Sequence, residues 1–245
     1  VLEDGLGVAL FDRIGRRVEL TEAGQALLAR VPDVEQSLRR LRTDYIDHYI
    51  THWQDPTTPV DETMAALETL KRDGKIRSVG ASNTSAQDIQ AYLDAGQLDA
   101  VQEEYSMVKR GIEQTHLPLC RKERVSVLSY SSLALGLLSG KMGPDRRFEG
   151  DDLRKGNRLF SRENLQQVET LMRAIDPIAE THGATRAQVV IAWTLQQPGI
   201  TFSLCGARTA DQARENAAAG RIRFAPAEVD TITAAADRHL SAMAA

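Results

Sequence analysis

From Leu38 onward the hydrophobic positions alternate between two periods. The run Tyr45-Ile46-Asp47-His48-Tyr49-Ile50 is rich in β-formers and predicts a strand. Met64, Leu67 and Leu70 then recur at helical spacing and predict a helix from about Val60 to Asp73, closed by Gly74 just past its end. The alternation continues with a strand over Ile76 to Ala81, a helix from Ser85 to Ala95 stopped by Gly96, and a strand over Ala100 to Gln102. A helix near Ile112 to Glu123 and a strand from Val125 to Tyr130 follow. A glycine-containing loop is expected over 131–160. A long helical region runs from Ser161 to His182, where Pro177 predicts a break. Thr185 caps a helix reaching Gln196. Strand Thr201 to Leu204, helix Ala210 to Ala219 and a last helix from about Pro226 to Leu240 complete the chain.

The first thirty-odd residues follow a different pattern. Leu2 to Leu6 read as the end of an amphipathic helix stopped by Gly5 and Gly7. Phe11 to Leu20 reads as a hairpin turning at Ile14-Gly15-Arg16. Thr21 opens a helix with Ala23, Ala26, Leu27 and Leu28 on its apolar side, and Pro32-Asp33 interrupts it. Two regions are therefore expected, 1–33 and 34–245.

Repeated βα units with short connections imply an α/β fold with a parallel sheet covered by helices. Five units are readable, with strands near 45, 76, 100, 125 and 201. An eight-stranded barrel typically needs about 250 residues, more than remain after the N-terminal region. An incomplete barrel or an open sheet is the expected architecture.

Composition narrows the function classes. The chain has 245 residues, 42% hydrophobic and 26% charged, which excludes a collagen-like, mucin-like or largely disordered protein. A net charge of -4 supplies no basic field for nucleic acid. No apolar run approaches the roughly 20 residues that span a bilayer, so no membrane partner is expected. Cys120 and Cys205 form neither a disulfide framework nor a metal signature. A cytoplasmic location is the expectation, and the opening Val1 suggests a truncated start.

In parallel βα architectures chemistry gathers at the C-terminal ends of the strands. Those ends carry Thr51-His52-Trp53, Ser82-Asn83, Gln102-Glu103-Glu104-Tyr105, Tyr130-Ser131-Ser132 and Cys205-Gly206-Ala207-Arg208. Ser, Asn and Gln suit a neutral carboxamide, which needs donors and acceptors together. A tyrosine ring can stack on a heteroaromatic. Backbone N–H groups opening the helix after Arg208, with its guanidinium, suit a phosphate. Together these outline a dinucleotide site. The plainer alternatives are a structural histidine at 52, a turn and helix cap at Ser82-Asn83, and a loop and cap at 206–208. The basic loop with Arg146, Arg147, Arg154 and Lys155 is either a solvated surface or a segment that clasps a cofactor.

The same residues carry a family resemblance. Leu38-Arg39-Arg40-Leu41, Asp44-Tyr45-Ile46-Asp47, His52-Trp53, Gly74-Lys75-Ile76-Arg77, Gly80-Ala81-Ser82-Asn83, Val101-Gln102-Glu103-Glu104-Tyr105-Ser106, Tyr130-Ser131-Ser132-Leu133, Gly136-Leu137-Leu138-Ser139-Gly140-Lys141 and Gly206-Ala207-Arg208 with Gln212, Glu215 and Asn216 resemble the aldo/keto reductases in order and spacing. The resemblance covers about residues 37 to 240. It implies an eight-stranded TIM barrel of which about the first three βα units lie upstream of the matching region. It implies NADPH-dependent reduction of a small-molecule carbonyl substrate, an aldehyde or ketone. Ser82, Asn83 and Gln102 would hold the carboxamide, and Tyr130 would stack on the nicotinamide. Ser131, Leu133, Gly136 and Leu138 would line the pyrophosphate. Gly206, Ala207, Arg208, Gln212, Glu215 and Asn216 would meet the adenosine 2′-phosphate end. Of the family's catalytic Asp, Tyr, Lys and His, only the histidine has a counterpart, His52, so impaired turnover is expected. Ser132 stands where a proline is usual, and His48 where an apolar residue is usual.

Residues 2–30 resemble the wing and following helix of LysR-type transcription regulators, through Leu6 to Arg13 and Arg16 to Gly24. Arg13, Arg16 and Arg17 could touch phosphates, contacts that read no base sequence. Two further expectations follow. One is an inactive cofactor-binding or interaction fragment that self-associates through exposed sheet edges. The other is a DNA-binding regulator, which the acidic charge disfavours.

Overall fold

The computed structural model describes residues 11–14, 17–20, 34–240 and 243. The expected hairpin is present, with β1 (Phe11–Ile14) antiparallel to β2 (Arg17–Leu20) and Phe11 opposite Leu20. The helices expected around it, at 2–6 and after Thr21, lie outside the described residues.

Beyond a helical stretch over 34–41, strands and helices alternate. They are β3 (Tyr49–Thr51), α1 (Val60–Arg72), β4 (Val79–Ser82), α2 (Ala86–Ala95), β5 (Ala100–Glu104), α3 (His116–Glu123) and β6 (Ser126–Tyr130). Then come α4 (Arg162–Thr181), α5 (Arg186–Leu195), β7 (Phe202–Ser203), α6 (Ala210–Ala219) and α7 (Pro226–Leu240). The sheet order is β3-β4-β5-β6-β7, each strand beside its successor in the chain. Tyr49 pairs with Val79, and Leu128 with Phe202, both in parallel. The architecture is therefore α/β with a parallel sheet.

The chain forms two compact units, 1–101 and 102–245. In the first, α1 packs on α2. Met64, Leu67, Ile76, Val79, Ile89 and Tyr92 are buried between helices and strands. Ser85 begins α2 through a capping box, its hydroxyl accepting from Asp88 N while its own N–H donates to Asp88. In the second, α4 packs on α7 and α5, and α5 on α6. Thr185 forms the same box with Gln188.

Several expectations shift. The first strand begins at Tyr49 rather than Tyr45. Upstream, the backbone makes one isolated bridge, Ile46 to Ile76, and the Ser78 hydroxyl donates to Asp47 O at 2.7 Å. Arg77 lies 3.7 Å over the Tyr45 ring and pairs with Asp47. Side chains thus join this segment where a ladder was expected. The helix near 112 splits into a 3₁₀ turn, Gly111–Gln114, and α3. Pro177 does not break α4, which runs on to Thr181. An interior proline costs about 3 kcal/mol. The buried stripe Leu165, Val168, Leu171, Met172, Ile175 and Ile178 offsets it, each side chain contributing about 1.5–3 kcal/mol. His182, expected at the surface, caps α4 and is bonded to Glu228 at 2.9 Å, edge-on to Phe224.

His48, expected within the strand, lies just before β3 and has a titration consequence. Its Nδ1 lies 2.8 Å from the Ser78 hydroxyl, which itself donates to Asp47 O, so Nδ1 carries the proton. Nε2 is buried with no hydrogen-bond partner among the described residues. Burial lowers the imidazole pKa from its ordinary 6.5, against an opposing pull from Asp99. A base with a depressed folded pKa stabilises the fold fully above 6.5 and loses that contribution as pH falls through its folded value. His48→Leu is therefore expected to flatten the loss of unfolding midpoint below pH 6.5. Identical acid slopes for the two proteins would contradict this.

Candidate functional site

In the first unit, the segment after β3 and the end of β4 hold each other through amides. Asn83, at a φ of 55° that few non-glycine residues adopt, donates from Nδ2 to His52 O at 2.9 Å and to Ser82 Oγ at 3.2 Å. Gln54 donates back to Ser82 O at 3.3 Å. Ser82 is fully buried, while His52 is exposed beside Trp53, ring centroids 5.9 Å apart. The Ser-Asn pair is thus tied to the backbone at His52, through its carbonyl and not its imidazole. Gln54 carries no periodicity or motif signal that would have singled it out.

The second unit contains a cavity of about 920 Å³. That is within the range of small-molecule and cofactor pockets, about 300–1,000 Å³. One wall is the loop following β6. Ser131, Ala134, Leu135 and Gly136 all have positive φ there, so backbone rather than side-chain bulk shapes it. The other wall is the segment from β7 into α6, with Cys205, Gly206, Ala207 and Arg208. Of the residues expected to bind cofactor, Ser131, Leu133, Gly136, Gly206, Ala207, Arg208, Gln212, Glu215 and Asn216 line this cavity. Leu138 does not; it is fully buried. Tyr130 and Gln102, half-buried on β6 and β5, lie outside its lining too.

Geometry separates roles among these residues. Gln212 accepts from Arg208 N at 2.8 Å, and Asn216 donates to Gly206 O at 3.2 Å, so both amides hold the 206–208 loop in place. Glu215 accepts from the Thr185 hydroxyl at 2.8 Å and faces Lys141 Nζ at 3.6 Å. Thr209 caps α6, whose ten residues direct a partial positive charge at the cavity. Arg208 is exposed and forms no ion pair among the described residues, which leaves its charge available to an anion.

Arg154 belongs to the basic loop expected to be either a solvated surface or a segment that clasps a cofactor. It lines the cavity, along with Asp151, Asp152 and Leu153. Arg154 binds Asp152 through Nε at 2.8 Å and Nη2 at 2.5 Å and lies 4.5 Å over the Phe148 ring. That hydrogen bonding brings the Asp152 carboxyl down to about 2. Burial, then Glu104 and Glu103, raise the Tyr130 phenol above its ordinary value. Among the described residues no cluster of three metal-ligating side chains occurs, and no helix is long and apolar enough to cross a membrane.

Comparison with known proteins bears on this geometry. The aldo/keto reductase family matches residues 30–237. The chain is 37% identical to an aldo-keto reductase of Bacillus subtilis, over 74% of this chain and 55% of that protein. It is also 37% identical to an NADH-specific methylglyoxal reductase of Escherichia coli, over 90% of this chain and 67% of that one. The chain thus spans about half to two thirds of the length of these relatives. Among solved structures, a glycerol dehydrogenase from Gluconobacter oxydans superposes with a TM-score of 0.83 at 30% identity, covering 95% of this chain and 71% of that one. An aldo-keto reductase from Bacillus halodurans gives 0.68 at 27% identity, covering 86% and 69%.

Proposed function

The chain belongs to the aldo/keto reductase family, and from that premise we propose that it binds NADPH for the reduction of a small aldehyde or ketone. Its five parallel strands would be the last five of an eight-stranded barrel. The observation that carries the reading is the cavity of the second unit. A capped helix N-terminus and Arg208, which has no ion pair among the described residues, meet there in a volume that suits a dinucleotide's phosphates. Arg208 favours the 2′-phosphate of NADPH, whereas the Escherichia coli relative is NADH-specific by name. When bound, the dinucleotide would supply a hydride. Ser82, Asn83 and Gln102 would hold its carboxamide, and Tyr130 would stack on its ring.

His52, at the end of β3, would orient the substrate carbonyl. The proton that accompanies the hydride needs a donor, and the chain's residues offer no counterpart to the family's tyrosine and lysine. General-acid help is worth about 10²–10⁴-fold, so the expected turnover of this chain alone is slight. Nicotinamide fluorescence should report NADPH binding, and silence at millimolar cofactor would sink the proposal. In a carbonyl-reduction assay, robust turnover abolished by His52→Ala would overturn the impairment.

One observation favours a second reading, association with another chain. β7 ends the sheet with Phe202 56% and Leu204 40% exposed. Such margins invite strand pairing. A clean monomer by light scattering would exclude it.

A further inference from the structure

β7 is two residues long, and the apolar residues in and beside it face solvent, so hydrophobic burial does little to fix its position. It pairs with β6 through Leu128–Phe202 and Ser129–Ser203, and flanking backbone bonds run from Thr201 N to Val127 O at 2.9 Å and from Leu204 N to Ser129 O at 2.8 Å. Hydroxyls reinforce this short ladder. Thr201 Oγ1 accepts from Val127 N at 3.1 Å, and Ser129 Oγ donates to Phe202 O at 3.2 Å. The shortest bond joins Ser132 Oγ to Ser203 Oγ at 2.6 Å, across 71 residues of chain. Ser203 Oγ also lies 3.6 Å from Cys205 Sγ. Ser132 is 1% exposed, so water competes poorly for its hydroxyl.

Ser132 belongs to the loop wall of the 920 Å³ cavity, and Ser203 leads directly into the opposite wall at Cys205–Arg208. We propose that Ser132, acting through Ser203, is a positioning residue that sets the separation of the two walls and hence the affinity for a dinucleotide's phosphates. The inference rests on the cofactor reading above.

The test uses Ser132→Ala, Ser203→Ala, their double variant and Ser203→Thr in the whole chain. Each alanine variant should weaken NADPH binding about 3- to 10-fold, the scale of one shielded hydrogen bond. The double variant should be no weaker than Ser203→Ala, which already removes the shared bond together with the contact to Cys205. Ser203→Thr keeps the hydroxyl on a strand that accepts β-branching and should bind as wild type does. Iodoacetamide labelling of Cys205, located by mass spectrometry, should speed up in Ser132→Ala, which leaves the Ser203–Cys205 contact in place, as the wall loosens. Buried Cys120 serves as the internal control. A lower melting temperature with unchanged affinity and unchanged Cys205 labelling would reduce the pair to scaffolding and overturn the proposal. So would losses that multiply in the double variant. If wild type binds neither NADPH nor NADH, the functional reading fails, and the labelling arm still decides whether the serines set the wall.

Discussion

Trp193→Ala should lower the free energy of unfolding by about 3–5 kcal/mol, the usual range for truncating a buried tryptophan. The indole is fully buried on α5 and lies stacked with Tyr105, centroids 6.1 Å apart and planes 9° from parallel. Arg110 sits 5.7 Å over it, and its Nε1 donates to Thr233 Oγ1 at 2.9 Å. Alanine would leave a cavity under the aromatic stack and remove one donor to the Thr233 hydroxyl, which still donates to Val229 O at 2.8 Å. Trp193→Phe keeps most of the volume and loses mainly the indole bond, so it should cost far less. Urea midpoints for the three proteins check the order. A loss below about 1 kcal/mol for alanine, the scale of a minor surface change, would show that the stack contributes little. The same helix begins at Thr185 and Arg186 and carries Ala187 into the cavity lining, so partial unfolding of α5 should also weaken cofactor binding.

Arg208→Ala should weaken NADPH binding by roughly 10- to 100-fold and NADH binding much less. Hydrogen bonds to a charged group contribute about 1.5–3 kcal/mol, and each 1.4 kcal/mol is a factor of ten. The selectivity is the informative part. Of the two, only NADPH carries the 2′-phosphate that this exposed guanidinium, without a carboxylate partner among the described residues, would meet. Arg208→Lys keeps the charge without the planar fork and should fall between. The wild-type advantage for NADPH should shrink as salt rises, because the contact is exposed. Equal losses for the two cofactors would mean that Arg208 does not meet the 2′-phosphate, even if the cavity holds the dinucleotide.

Local signals were legible in the sequence, and their physics explains why. Ser85 and Thr185 bond to residues three positions on, so their caps can be read without knowing the tertiary fold. The limits of α6 and α7 fall where Ala210, Ala219, Pro226 and Leu240 placed them. The strand-end residues were legible for a similar reason, since a parallel sheet concentrates chemistry at one end of its strands. What escaped depends on distance or on the backbone. Pro177 argues locally for a break, and only the packing of Leu171, Ile175 and their neighbours overrides it. The positive φ values at Ser131, Ala134 and Leu135 have no side-chain signature. The bond from Gln54 to Ser82 and the Ser132–Ser203 pair join residues far apart in the chain. Leu138 had the right spacing for the cavity wall but points into the core instead.

The strand order has a kinetic consequence. Neighbours at the β3–β4 end meet across short chain loops, as Thr51 and Gly80 do at 29 residues. The β6–β7 pairing closes a far longer one, since Val127 and Thr201 are 74 residues apart, with α4 and α5 between them. Loop-closure entropy rises with that length, and non-local pairings form late. The last strand to dock is thus also the one that leads into Cys205–Arg208. A chain emerging from the ribosome would build its β3–β4 contacts first and complete the cavity of its second unit at the end. In hydrogen exchange, the amides of Thr201 and Leu204 should open well before those of β4.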